Sequence, residues 1–351
     1  MPDQSPILKA TDLTISFRTP SGLVRAVRGV SFSLAPGETL AIVGESGSGK
    51  SVTCKAAMGI LPGNAVIDGG EILVDGKDLL HLPEREFCKL RGRKIAMVFQ
   101  DPLSSLNPIM RVGKQLTEVM RLSGVPAAEA KKRALSLLAE VGISEPERRY
   151  RQYPFELSGG MRQRIVIAIA LAANPDILIC DEPTTALDVT IQAQILELLS
   201  RLKRDRGLSM IFITHDLGVV ANIADRIAVM YAGKIVEEGN AEEIFYAPAH
   251  PYTWALLSSM PDLDTRDRLD AIPGTPPNMV APPKGDAFAD RNPYALAIDF
   301  EEQPPAFPIT KTHWAATWLL DPRAPGQPMP AALQERIARM KARREAQVHG
   351  R

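Results

Sequence analysis

Short, unbroken apolar runs alternate along this chain with longer stretches whose apolar positions recur at helical spacing. Thr39–Val43, Lys94–Phe99, Ile177–Asp181 and Met210–Thr214 are compact apolar runs, the pattern of strands buried on both faces. Between them, Val112, Leu116, Val119 and Met120 share one helical face, and Ala134, Leu135, Leu138 and Val141 share another, with Gly142 as a terminator. Residues 165–173 and 191–202 continue the helical pattern. Strands alternating with helices predict an α/β fold built on a parallel sheet. The helical stretch at 104–173, inserted between two strands, predicts a subdomain that turns as a unit.

Two segments differ from this pattern. Residues 7–17 and 24–34 alternate loosely between apolar and polar around Thr19-Pro-Ser-Gly22, which predicts an antiparallel edge layer, and the Gly69-Gly70 and Asp75-Gly76 pairs around residues 71–74 add a hairpin signal. Residues 227–231 and 234–237 predict a hairpin that closes the main sheet. Beyond residue 248 the composition changes: of 29 prolines, sixteen lie between Pro248 and Pro330, a density incompatible with long helices or central strands. The expected division is therefore a main domain over 1–247, a small proline-rich extension over 248–330, and a basic terminal helix or tail over 331–351. In that last segment Leu333, Ile337 and Met340 share a face among many Lys and Arg; a solvated helix is favoured over one that touches a membrane or partner.

The chain has 41 basic and 41 acidic residues, and zero formal net charge argues against nucleic acid as a partner. Its three cysteines, Cys54, Cys88 and Cys180, are too few and too far apart for a disulfide framework, so a reducing compartment is expected. No run of eighteen apolar residues occurs and the first residues lack a signal-peptide pattern, so the chain is not expected to span a membrane, although it can sit on a membrane protein.

The chemistry is concentrated in Gly44–Ser51, GESGSGKS, which follows a predicted strand and precedes a predicted helix. Gly44, Gly47 and Gly49 allow a tight turn that leaves backbone N–H groups facing an anion at a helix N-terminus. Lys50 is placed to reach outer phosphates and Ser51 to offer a hydroxyl to Mg²⁺. The nucleotide set is thus Gly44, Glu45, Ser46, Gly47, Ser48, Gly49, Lys50, Ser51 and Val52. Asp181 and Glu182 stand at the end of a buried strand, where ligands of open α/β sheets collect. Asp181 is expected at Mg²⁺ and Glu182 at the attacking water. Gln100 ends another strand and is expected to sense a metal-bound water; His215 follows the strand expected beside that of Asp181 and is placed to reach the terminal phosphate. Ser158, Gly159 and Gly160 precede an apolar helix and make a second anion site, which a dimer would bring against the nucleotide of the partner. Phe17 is either a stacking platform for the base or an ordinary core aromatic.

These motifs, in this order, resemble the nucleotide-binding subunit of an ATP-binding cassette (ABC) transporter over residues 7–260. In the terms of that family they are a Walker A motif at 44–51, a Q-loop at Gln100, an LSGGM signature at 157–161, a Walker B motif at 177–182, a D-loop at Ala186-Leu-Asp188 and a switch histidine at His215. The phrases QDPLSSLNP at 100–108, HPYTWALLS at 250–258, PGTPPN at 273–278 and FxxRxPYA at 288–295 narrow the resemblance to the oligopeptide, dipeptide and nickel importers of bacteria. The resemblance implies a P-loop ABC fold, with ATP and Mg²⁺ as substrate and cofactor. It also implies a second ATP-binding subunit, often a non-identical one, two membrane permeases, an extracytoplasmic solute-binding protein, and a peripheral position on the cytoplasmic face of the inner membrane. A soluble cassette ATPase of DNA repair or translation is disfavoured by the single cassette and absent cysteine clusters, and an exporter by the tail. The family tail commonly carries four cysteines on an iron–sulfur cluster; here the matching positions are Asp286, Asn292, Asp299 and Thr317, so no cluster is expected. Instead, Arg291 is expected to pair with an acid, and Phe288, Tyr294 and Trp314 to form a small apolar cluster.

Overall fold

In a computed structural model the described residues are 5–185, 187–260 and 272–349. The strands, in chain order, are β1 (Leu8–Thr19), β2 (Gly22–Leu34), β3 (Thr39–Val43), β4 (Ala65–Val74), β5 (Lys77–Asp78), β6 (Ile95–Val98), β7 (Ile177–Asp181), β8 (Ser209–Thr214), β9 (Arg226–Tyr231), β10 (Lys234–Asn240), β11 (Phe307–Pro308) and β12 (Trp314–Ala315). They make two sheets. An antiparallel layer has the order β2-β1-β4-β5, and a larger mixed sheet has the order β11-β12-β10-β9-β3-β8-β7-β6. In the larger sheet β9, β3, β8, β7 and β6 run parallel.

Apart from Lys94 and the exposed Phe99 at the two ends of their run, the apolar runs are buried because both faces of the parallel strands are covered. Alternate residues divide between two cores, as the two-residue period of a strand requires. Leu40, Ile42, Ile177, Ile179, Ile211 and Ile213 face the antiparallel layer, while Ala41, Val43, Leu178, Cys180, Met210 and Phe212 face the helices. The inserted helices Val112–Leu122 and Ala127–Glu140 bury Val112, Leu116, Met120, Ala134 and Leu138 in the second of these cores, with Val141 just past the second helix; of the predicted faces Val119 and Leu135 stay only partly buried, and Leu137 enters the core instead. The chain leaves the second helix through Gly142 in a left-handed conformation.

The C-terminal extension departs from expectation in three ways. The β9–β10 hairpin does not close the sheet, because β12 pairs antiparallel with β10 and β11 pairs with β12. A two-residue strand carries no periodicity for a sequence reading to find. Buried Glu237 on β10 fastens this join: its carboxylate meets His313 Nε2 at 2.8 Å and accepts from the backbone N–H groups of Ala249 and His250. Second, Phe288, Tyr294 and Trp314 do not gather into one cluster. Phe288 packs against Tyr231 and Tyr252, each with ring centroids 5.3 Å away, and Tyr294 meets Trp254 at 5.8 Å, while Trp314 packs on the core beneath the antiparallel layer. Aromatic pairs of this kind add about 0.5–1.5 kcal/mol each beyond their burial. Third, the terminal helix Ala331–His349 is not solvated all round. Leu333 and Ile337 are buried in the cassette core, and Arg336 donates to the carbonyls of Ser258 and Met260.

The four positions that match the family's cysteines carry side chains that bond to nearby backbone. Asp286 accepts from Phe288 N at 3.0 Å, Asn292 from Tyr294 N at 3.0 Å, Asp299 from Leu296 N at 2.6 Å and Thr317 from Leu319 N at 3.3 Å. All four are buried, and each stabilises its own turn. They do not fit an iron–sulfur cluster: none is a thiolate and each has an oxygen committed to a backbone donor. Among the described residues no group of three His, Cys, Asp or Glu side chains is placed to hold a metal.

Candidate active site

The phosphate loop is shaped by close backbone approaches. Gly44, with φ 151°, would place a Cβ 2.0 Å from the Met230 carbonyl oxygen, and Gly49, with φ 105°, would place one 2.5 Å from the carbonyl of Ala26. The helix Lys50–Ala57 that follows has no side-chain cap, which leaves its first N–H groups to an anion. Lys50 is 4% exposed, and its Nζ donates to the carbonyls of Gly44 at 2.6 Å and Glu45 at 2.8 Å, with Ser48 Oγ at 3.4 Å. Burial lowers the Lys50 pKa, against the pull of Glu182, Asp181 and Glu45. Such a buried ammonium, satisfied only by loop carbonyls and a hydroxyl, suits a phosphate oxygen.

The second half of the site comes from strand ends. β7 and β8 are parallel neighbours, as the reading of Asp181 and His215 requires. Ser51 Oγ donates to Asp181 Oδ1 at 2.7 Å. Burial raises the Asp181 pKa, so a cation at this pair would relieve the cost of its charge. Hydroxyl and carboxylate oxygens are the donors that Mg²⁺ favours, so the residues fit that ion.

Glu182 has φ 47°, a left-handed conformation rare for a non-glycine residue and often found where function fixes a side chain. One carboxylate oxygen accepts from Gln100 Nε2 at 3.1 Å and from Thr185 Oγ1 at 2.9 Å; the other lies 3.3 Å from His215 Nδ1. Gln100 and His215, just past the ends of β6 and β8, and Thr185, in the turn after Glu182, therefore aim its carboxylate. A cleft of about 760 Å³ joins these groups, lined by Glu45, Ser46, Gly47, Gly49, Lys50, Ser51, Val52, Gln100, Glu182 and His215. Gly44 and Ser48 are buried beneath the loop.

The other candidates lie elsewhere. Phe17 is half-buried against the antiparallel layer and does not line the cleft. Exposed Ser158 caps the helix Gly159–Leu171, accepting from Met161 N at 3.3 Å, and Ser158, Gly159 and Gly160 do not line the cleft either. Of the D-loop, Ala186 lies outside the described residues, while Asp188 caps the helix Val189–Arg206 by accepting from Ile191 N. Sequence reasoning missed Thr185, three residues after Glu182 and legible from that spacing. It also missed Leu256, which lies in the 250–258 phrase but was given no role there, and Ser259 and Ile272, which line the cleft from the C-terminal side and carry no motif.

Comparison with known proteins agrees with this geometry. The family profile "ABC transporter" matches residues 27–185, and "Oligopeptide/dipeptide transporter, C-terminal region" matches 236–298. The oligopeptide transport ATP-binding protein OppD of Bacillus subtilis (strain 168) is 58% identical over 338 residues, covering 95% of this chain and 94% of its own length. The dipeptide transport ATP-binding protein DppD of Lactococcus lactis subsp. cremoris is 59% identical over 322 residues, covering 91% of this chain and 92% of its own. Among solved structures, the dimeric bacterial ABC transporter cassette MJ0796 matches with TM-score 0.59 and 30% identity, covering 67% of this chain and 98% of that one. The chain thus belongs to the ABC transporter family, as an ATP-binding subunit of its oligopeptide/dipeptide importer branch.

Proposed function

We propose that this subunit hydrolyses ATP to drive uptake of oligopeptides or dipeptides. Its likeness to OppD and DppD along almost the whole chain supports that substrate class. The observation that carries the chemistry is the convergence of Gln100, Thr185 and His215 on Glu182 beside the Lys50 loop. The Gly44–Val52 loop and Lys50 hold the phosphates, and Ser51 and Asp181, with Gln100, would hold Mg²⁺, which would supply neutralisation of charge on the phosphate oxygens. Glu182 orients the attacking water, and His215 stands at the terminal phosphate. Ser158, Gly159 and Gly160 close over the nucleotide of a second, non-identical ATP-binding subunit. Two permeases and an extracytoplasmic binding protein complete the transporter, with this chain peripheral on the cytoplasmic face of the membrane. Closure of the paired cassettes moves the inserted helices against the permeases.

The test is reconstitution in proteoliposomes with the permeases, the second ATPase and the binding protein. ATP hydrolysis stimulated by di- or oligopeptide together with the binding protein is expected. Hydrolysis indifferent to peptide, or co-purification with nucleic acid in place of membrane subunits, would refute it.

A further inference from the structure

We propose that Arg291, in the C-terminal extension, is a positioning residue for the ATPase reaction: it holds and neutralises the Glu45 carboxylate of the phosphate loop, so that the loop accepts a polyanion. This rests on reading the Lys50 loop as the nucleotide seat. The guanidinium grips Glu45 with two prongs, Nη1 to Oε2 at 2.6 Å and Nη2 to Oε1 at 3.0 Å. It is itself fixed, since Nε donates to the Pro273 carbonyl at 2.7 Å and Nη1 also donates to Tyr231 Oη at 3.1 Å. The rings of Tyr231 and Phe288 flank it, with its central carbon 5.7 and 5.9 Å from their centroids. The Glu45 backbone is held as well, its N–H donating to Tyr252 Oη at 2.8 Å.

The electrostatics gives this clamp a purpose. Glu45 is the one carboxylate in a loop whose other polar groups are backbone N–H and C=O, hydroxyls and the Lys50 ammonium, and it lines the nucleotide cleft. Left unpaired, it would repel each incoming phosphate and compete for Lys50. Arg291 cancels that charge from behind, since it is almost fully buried and does not line the cleft, so it adds no rival phosphate ligand. A planar two-pronged donor suits the task, and lysine offers only a point charge.

The experiment measures binding of trinitrophenyl-ATP to the full-length subunit, and KM and kcat for ATP in the assembled transporter. Arg291→Met is expected to weaken nucleotide binding and raise KM on the order of tenfold, with kcat within twofold. Adding Glu45→Gln to that variant removes the unpaired charge and is expected to restore KM to within about threefold of wild type, which a purely structural contact would not do. Should Arg291→Met fail to fold, Arg291→Lys gives the same reading at smaller scale, a rise of about threefold that Glu45→Gln abolishes. KM unchanged within twofold in folded Arg291→Met, or a further rise on adding Glu45→Gln, would overturn the proposal. A wild-type subunit that binds no nucleotide would instead refute the reading of the site itself.

Discussion

Two helices in this chain start from glycine-rich turns that look alike in sequence, and they occupy opposite surroundings. The Gly44–Ser51 turn is locked from below by the carbonyls of Met230 and Ala26; it shares a cleft with Glu182, and buried Asp181 accepts directly from its Ser51. The Ser158–Gly160 turn lies at the surface, and its serine hydroxyl is spent on capping its own helix. A helix N-terminus alone is therefore not a site; the first becomes one because its own buried lysine and serine hydroxyl meet the carboxylates at the end of β7. The second has anion chemistry and no partner groups of its own within the chain's cleft, which is the arrangement expected of a surface that completes a neighbour's site.

The largest test of this contrast is Glu182→Gln, which preserves shape and removes the carboxylate. We expect kcat to fall by roughly a hundredfold or more while nucleotide binding survives, because the change strikes the step in which water is oriented. Turnover within about threefold of wild type would break the assignment. Next in size is Ser158→Arg, expected to reduce turnover of the assembled transporter by about tenfold or more while the isolated subunit binds nucleotide as before. Equal loss of affinity in the isolated subunit would mean that the two turns serve the same nucleotide within one chain.

A backbone comparison sharpens the same point. Gly44→Ala forces a Cβ against the Met230 carbonyl at a backbone angle L-residues avoid, and should cost about 2 kcal/mol or more of stability. Gly159→Ala meets only Leu187 Cδ2 at 3.9 Å and should stay within about 0.5 kcal/mol. Thermal unfolding of the two variants side by side reads the difference directly. Comparable destabilisation by both would remove the distinction between a locked turn and an open one.

What sequence alone made legible follows from what it encodes locally. The fully apolar run of β7 ending in Asp181 and Glu182 announces a buried strand with acids at its ligand-binding end, and the spacing of GESGSGKS fixes a turn whose glycines prove necessary. The loop, strand-end acids and histidine were readable because each sits at an element boundary marked by its neighbours. The contacts joining them were not: Gln100 reaches Glu182 across 82 positions and Arg291 reaches Glu45 across 246. No periodicity reports a contact made at such separation by two side chains. The docking of the tail escaped for a related reason, since its stabilisation is spread over single aromatics and two-residue strands rather than over a patterned segment. Proline density marks a change of composition at residue 248, but composition is distinct from packing, and Tyr252, Phe288, Leu333 and Ile337 all enter the cassette core.

The smallest expected effect concerns Phe17, where the sequence leaves a stacking platform and a core aromatic equally open. The ring is half-buried near the end of β1 and packs with the core beneath the antiparallel layer, whereas the aliphatic part of the cleft lining includes Ala26, Leu256 and Ile272. Those aliphatic walls can cover a base without an aromatic face, although stacking on an aromatic ring is the stronger contact, worth about 1–3 kcal/mol per base. In the geometry described, Phe17→Ala removes packing from the layer and leaves the cleft wall as it is. Nucleotide KM should therefore change by less than about threefold, with a loss of stability as the main consequence. Measuring KM alongside the unfolding temperature separates the two roles. A KM rise of about tenfold with unchanged stability would place the base on Phe17 and require its ring to swing out of the layer when nucleotide binds.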